Sequence, residues 1–184
     1  MKRTRSLAIT GLLIALSVIL TRFASFRVAI GGVEGIRIGF GSMPNIVAGI
    51  VLGPWHGAIS GAFSDILGFM LSPMGGGYMP HFTLSSALMG AIPGMVFRLF
   101  NQSRERSQAS ILHLGISVLC GIGVVSCGLT PYFLHSLFGM DYRVIMPPRI
   151  LAGAIETLTY SMVLKTIYSP VTRITLKTHA SAYK

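Results

Sequence analysis

The chain has 184 residues, of which 52% are hydrophobic and 11% charged; its formal net charge is +10 and its mean hydropathy +0.69. Soluble domains carry roughly 25% charged residues, and a chain with so few cannot cover a soluble surface. These values exclude a soluble globular domain and predict a single integral membrane domain over residues 1–184, with no nucleic-acid partner despite the basic excess.

The N-terminal stretch "MKRTRSLAITGLLIALSVILTR" has a basic start and an apolar run, but no small-residue cleavage site follows it. It is therefore expected to be a first transmembrane helix, not a removable leader. Five further apolar runs follow, and the six together are roughly 7–22, 36–53, 55–72, 82–99, 111–133 and 148–168. The expected fold is an all-α bundle of six transmembrane helices. "LGPWHGA" separates the second run from the third by a Gly-Pro turn. "SPMGGGYMPHFT" (72–83) separates the third from the fourth and is expected to be loop, because glycine and proline disfavour helix. "NQSRERSQAS" (101–110) is the strongly polar linker, and "HSLFGMDYRVIMPP" (135–148) a mixed connector.

The basic residues set an expected orientation. Lys2, Arg3, Arg5, Arg98, Arg104, Arg106, Lys165, Arg173, Lys177 and Lys184 fall on the side of the termini, which predicts cytoplasmic termini. Arg22, Arg27, Arg37, Arg143 and Arg149 fall on the other side, where every cation is arginine. One reading is that arginine snorkels well at an interface. The other is anion capture, since its planar fork grips carboxylates in a bidentate way that lysine does not.

Small residues recur at helical spacing. Gly57, Gly61 and Gly68 lie within about 40° on a helical wheel, with Asp65 beside them. Small stripes let membrane helices approach closely, so Asp65 is expected to face a neighbouring helix or a cavity. An ionisable group inside a membrane is a functional candidate, and a helix-bridging structural role is the alternative. Arg149, Ala152 and Glu156 share a face of the sixth run, with Glu156 about 10 Å deeper than Arg149. That series fits either a polar ligand pocket or a structural pairing. Gly11 and Ala15 form a small-xxx-small pair in the first run, as do Gly49/Gly53 and Gly90/Gly94 later.

Enzyme and metal signatures fail. No G-x-x-x-x-G-K-[ST] occurs, so the chain is expected not to hydrolyse ATP, and no H-E-x-x-H occurs. His113, Cys120 and Cys127 share a stripe but stand about 10 Å apart along the axis, too far to share a metal. Neither a metal nor a cofactor is expected.

The stretch "RIGFGSMPNIVAGIVLGPWHGAISGAFSDILGFMLSPMGGGYMPHFTLSSALMGAIPG", with "LFG" and "MPPRI" further on, resembles the substrate-binding (S) components of energy-coupling factor (ECF) vitamin transporters, the folate type most of all. The resemblance covers about 160 residues. It implies a membrane subunit that binds its vitamin from outside, then docks on a coupling transmembrane subunit with two ATPases. It implies that Gly11 and Ala15 meet the coupling subunit, and that the loops after the first and third helices close over the ligand, 72–83 among them. Folate offers a flat pterin and a dicarboxylate. Phe40 and Tyr78 are candidates for stacking, Arg37 and Arg149 for the carboxylates, and Asp65 for the pterin donors; His81 completes the ligand set. Two other readings stay open: another vitamin or small heterocycle in the same architecture, and a membrane enzyme using Asp65, Glu156 and His81 as acid–base groups.

Overall fold

The computed structural model describes residues 3–30, 33–71, 77–100 and 110–181, and for 3, 26–30, 33–38 and 169–181 the backbone alone. Helix α1 (Arg3–Phe23) leads into an antiparallel hairpin, β1 (Ser25–Ile30) and β2 (Val33–Gly39). A 3-10 turn (Phe40–Ser42) opens α2 (Met43–Val51), followed by α3 (Pro54–Leu71) and α4 (Pro80–Phe100). Helix α5 (Ile111–Ile122) runs through a π turn (Gly123–Leu129) into α6 (Thr130–Phe138), forming one 28-residue helical span. Helix α7 (Tyr142–Ser181) closes the chain. Among the described residues the result is a bundle of six helical spans. Four of them, 4–23, 80–100, 111–138 and 142–168, are long and apolar enough to cross a membrane.

The outside of this bundle is greasy. Leu12 on α1, and Leu151 and Leu158 on α7, are about two-thirds exposed (71%, 67% and 67%), as a surface facing hydrocarbon requires. The inside mixes apolar core, including Ile46, Val47, Leu114, Val118 and Leu164, with buried serines and Asn45. Ser60 donates to Asn45 Oδ1 at 2.8 Å, and Asn45 Nδ2 donates to Ser64 Oγ at 3.1 Å, tying α2 to α3. Polar side chains joining helices in this way replace water as partner.

Glycine brings three helices into backbone contact. A Cβ on Gly49 of α2 or Gly57 of α3 would collide with the Gly90 carbonyl oxygen of α4; one on Gly90 would meet the Gly57 carbonyl oxygen, and one on Gly94 that of Gly49. On Gly61 it would strike the Ser86 carbonyl oxygen. Gly49, Gly57, Gly90 and Gly94 thus hold α2, α3 and α4 together, whereas a Cβ on Gly53 would meet the Arg98 side chain. Gly53 (φ 118°) ends α2, and Pro54 starts α3, so the Gly-Pro turn stands where the sequence places it.

Four segments depart from the sequence expectations. The second helix does not begin at residue 36: β2 continues to Gly39, and α2 forms after the 3-10 turn with Pro44 in its first turn. The reason lies in "SFRVAIGGVEGIRIG", where apolar residues alternate around a Gly-Gly pair, a hairpin pattern. Residues 80–83 of the expected loop 72–83 are already α4, started by Pro80; 77–79 are coil, and 72–76 lie outside the described residues. The fifth span continues past residue 133 to Phe138, where Gly139 (φ 66°) stops it in the left-handed conformation. The last helix begins at Tyr142, not after the prolines at 147 and 148, because Asp141 caps it. Its Oδ1 accepts the Arg143 N–H at 2.9 Å, and its carbonyl accepts the Val144 N–H at 3.1 Å.

Candidate functional site

The short second span shapes the site. Residues Phe40–Val51 form about 18 Å of helix, well under the roughly 30 Å of a hydrocarbon core. Extended backbone therefore enters the bundle at the end where α1 finishes and α2 begins, and its polar groups need protein partners. They have them. The Gly39 N–H donates to Glu156 Oε1 at 3.2 Å, and the Gly39 carbonyl accepts the Tyr160 hydroxyl, both from α7. The Phe40 N–H donates to the Ala24 carbonyl at 3.2 Å, and the Gly41 carbonyl accepts Ser17 Oγ of α1 at 2.7 Å. A Cβ on Gly39 would overlap Ala24 and Ser25 atoms, so glycine is the residue that lets this junction close.

Phe40 adjoins this junction, and Asp65, Tyr78 and His81 lie on α3, α4 and the coil between them. Phe40 is 40% exposed, and its ring lies 6.3 Å from that of Tyr160. Asp65, in the penultimate turn of α3, accepts a hydrogen bond from Thr83 Oγ1 of α4 at 2.7 Å. Thr83 Oγ1 in turn pairs with the Tyr78 hydroxyl at 2.8 Å. Tyr78 is itself half-exposed and packs on Phe69, ring centroids 5.4 Å apart. Asp65 thus faces a neighbouring helix, as its place on the small-residue stripe predicts. His81 lies in the first turn of α4, exposed, with its ring 5.1 Å from Phe133 of α6.

Arg149 is 8% exposed, and its Nη1 donates to the Ser126 carbonyl at 3.3 Å, inside the π turn. A π turn carries one residue more than an α turn and loosens its carbonyls. Here Arg149 takes one such carbonyl, and Thr130 Oγ1 another, that of Val125, at 2.8 Å. Arg37 pairs with Arg27 across the hairpin, two residues before Gly39; its side chain lies outside the described residues. Arg22 donates to the Gly68 carbonyl, joining the end of α1 to the end of α3. Arg143 is exposed. Gly11 and Ala15 belong to a different surface. Both are exposed on α1, and a Cβ on Gly11 would meet nothing within 4 Å.

Sequence reasoning leaves Tyr160, Thr83, Phe69, Phe133 and Ser126 out of the site. Tyr160 carried a signal, since it follows Glu156 by four residues and so shares its helix face. Thr83 carried none toward Asp65, nor Phe133 toward His81, because those partners are distant in sequence. Glu156 bonds to the hairpin root and Asp65 to α4.

Arg149→Ala is expected to weaken ligand binding more than Arg143→Ala. Loss of a charge-assisted contact removes about 1.5–3 kcal/mol, whereas an exposed surface change stays within about 0.5 kcal/mol. Calorimetry on the two purified variants checks this, and equal small effects would remove Arg149 from the site.

These features define a multi-pass membrane protein that gathers polar and aromatic side chains at one end of a helical bundle. The chain belongs to the family of S components of ECF-type transporters: residues 1–173 match the family model described as "ECF-type riboflavin transporter, S component". It is 32% identical to the folate transporter FolT of Clostridium novyi (strain NT) over 174 residues, 95% of this chain and 94% of that protein. The fold is similar to that of FolT bound with folic acid, with a TM-score of 0.69 and 26% identity, over 87% of this chain and 89% of the other. It also resembles the S component of a bacterial ECF transporter, with a TM-score of 0.70 over 94% and 98% of the two chains. At 20% identity that second likeness speaks to the fold alone.

Proposed function

We propose that this chain is the high-affinity binding subunit for a folate-class vitamin, loaded from outside the cell with its termini in the cytoplasm, and that it performs no chemistry on its ligand. The family model names riboflavin and the curated relative names folate, so ligand chemistry has to separate them. The observation that carries folate is the Asp65–Thr83–Tyr78 hydrogen-bonded chain beside the Phe69 ring, at the same end of the bundle as buried Arg149. A pterin presents an edge of N–H donors to a carboxylate and a flat face to aromatic rings. The glutamate end of folate presents two carboxylates, for which arginine is the fitting partner; riboflavin has none.

Delivery then falls to partners. A chain of this family without a phosphate-binding loop needs a coupling transmembrane subunit and two ATPases. The exposed pair Gly11 and Ala15 offers the coupling subunit a flat strip of α1, on which another helix can approach closely.

Isothermal calorimetry on the purified chain, without ATP, is expected to show one-to-one binding of folate that is tighter than that of riboflavin or thiamine. Mass spectrometry of small molecules that co-purify checks the same point independently. Tighter riboflavin binding would overturn the folate assignment while leaving the family intact.

A further inference from the structure

We infer that Glu156 and Tyr160 are positioning residues for ligand binding: by holding both polar groups of Gly39, they set the hairpin root in its binding-competent place before the ligand arrives. The inference deepens the binding function proposed above and rests on it. Glu156 and Tyr160 stand one helical turn apart on α7, fourteen and eighteen residues from its start, so the hairpin is gripped about 21–27 Å along that helix. Three consecutive residues are tied at this point: Gly39 to α7, Phe40 to Ala24 and Gly41 to Ser17 of α1. The first and last helices are thereby joined across the start of α2. Tyr160 is 1% exposed and Glu156 partly buried, so the tyrosine side is shut off from bulk water and the glutamate side is partly shielded. Phe40, the stacking candidate, is the residue after Gly39, and its ring also meets Tyr160.

The consequence is kinetic. If the root is held in place beforehand, loosening it lowers the fraction of molecules able to bind, and apparent affinity falls by that fraction through slower association. A side chain that touches the ligand acts differently, since its loss speeds dissociation. Toward the Gly39 N–H, Glu156 acts as an acceptor, and a glutamine carbonyl can accept the same bond.

The test measures folate association and dissociation by stopped flow on purified full-length wild type, Tyr160→Phe, Glu156→Gln and Glu156→Leu. Amide exchange of the segment containing Gly39 is followed in the same four proteins without ligand. Tyr160→Phe is expected to slow association about two- to tenfold, the worth of one neutral hydrogen bond, and Glu156→Leu at least as much, since its acceptor is a carboxylate. Dissociation should stay within about twofold of wild type. Glu156→Gln, which keeps an acceptor for the Gly39 N–H, should slow association less than Glu156→Leu, and exchange at the hairpin root should accelerate most in the two damaging variants. Faster dissociation with unchanged association would overturn the inference in favour of direct ligand contact. Glu156→Gln as damaging as Glu156→Leu would overturn it in favour of a charge requirement. Unchanged exchange, or fewer binding sites with unaltered rates, would reduce both residues to general stability. The exchange measurement needs no ligand, so it stands or falls separately from the folate assignment.

Discussion

Gly11→Leu is expected to abolish vitamin uptake in cells while leaving ligand affinity within about twofold of wild type. The space around Gly11 is open in this chain, with nothing within 4 Å of where a Cβ would lie, and Ala15 one turn on is equally exposed. A leucine there disturbs no internal contact. It does raise a bulky side chain on the strip proposed to meet the coupling subunit, where van der Waals packing between close helices is the main attraction. Ala15→Leu should act alike. The measurement pairs affinity on the purified variant with uptake in cells that hold the ATPases and coupling subunit. Affinity lost together with uptake would mean that the face packs within the chain, and unaffected uptake would place docking elsewhere.

The opposite result is expected at Gly90. Gly90→Leu should remove folded protein from the membrane altogether, because its Cβ would overlap the Gly57 carbonyl oxygen. The obstacle is backbone, which cannot rotate away as a side chain can, and α2 closes on the same point through Gly49. Overpacking by a few methylenes typically costs about 1–3 kcal/mol when side chains can adjust; here three helices would have to separate, and the loss should exceed that range. Size-exclusion profiles and ligand-binding stoichiometry of detergent extracts check it. A monodisperse, fully binding Gly90→Leu protein would show that α3 and α4 do not need this approach. The two substitutions are chemically identical, and only the surroundings of each glycine separate them.

The membrane class and most helical spans were legible because hydrocarbon imposes length and apolarity on each span, and both are properties of a local window. The Gly-Pro turn at 53–54 and the small-residue stripe carrying Asp65 were legible for the same reason, since turn chemistry and helical spacing act over a few residues. The hairpin was half legible. Its alternation around Gly31 and Gly32 is in the sequence, yet its apolar residues also suit a membrane helix, and at short range the two patterns overlap. The exposed hydroxyl–ring cluster at Tyr78 was partly legible through an aromatic next to glycines, whereas its link to Asp65 through Thr83 was not.

By itself, then, the sequence determined a membrane bundle without an ATP-binding loop, where its helices break, and which ionisable residues sit among apolar neighbours. Only the tertiary structure decided what those residues hold. It turned Glu156 toward the Gly39 N–H, brought Tyr160 to the Gly39 carbonyl, and set Arg149 on the π-turn carbonyl of Ser126. It also separated glycines that look alike, burying Gly49, Gly57 and Gly90 against backbone and leaving Gly11 open. The physical reason is one of range. Length, hydropathy and turn preference are paid locally, while a buried backbone N–H or carbonyl at membrane depth takes whichever partner the packing of distant helices delivers.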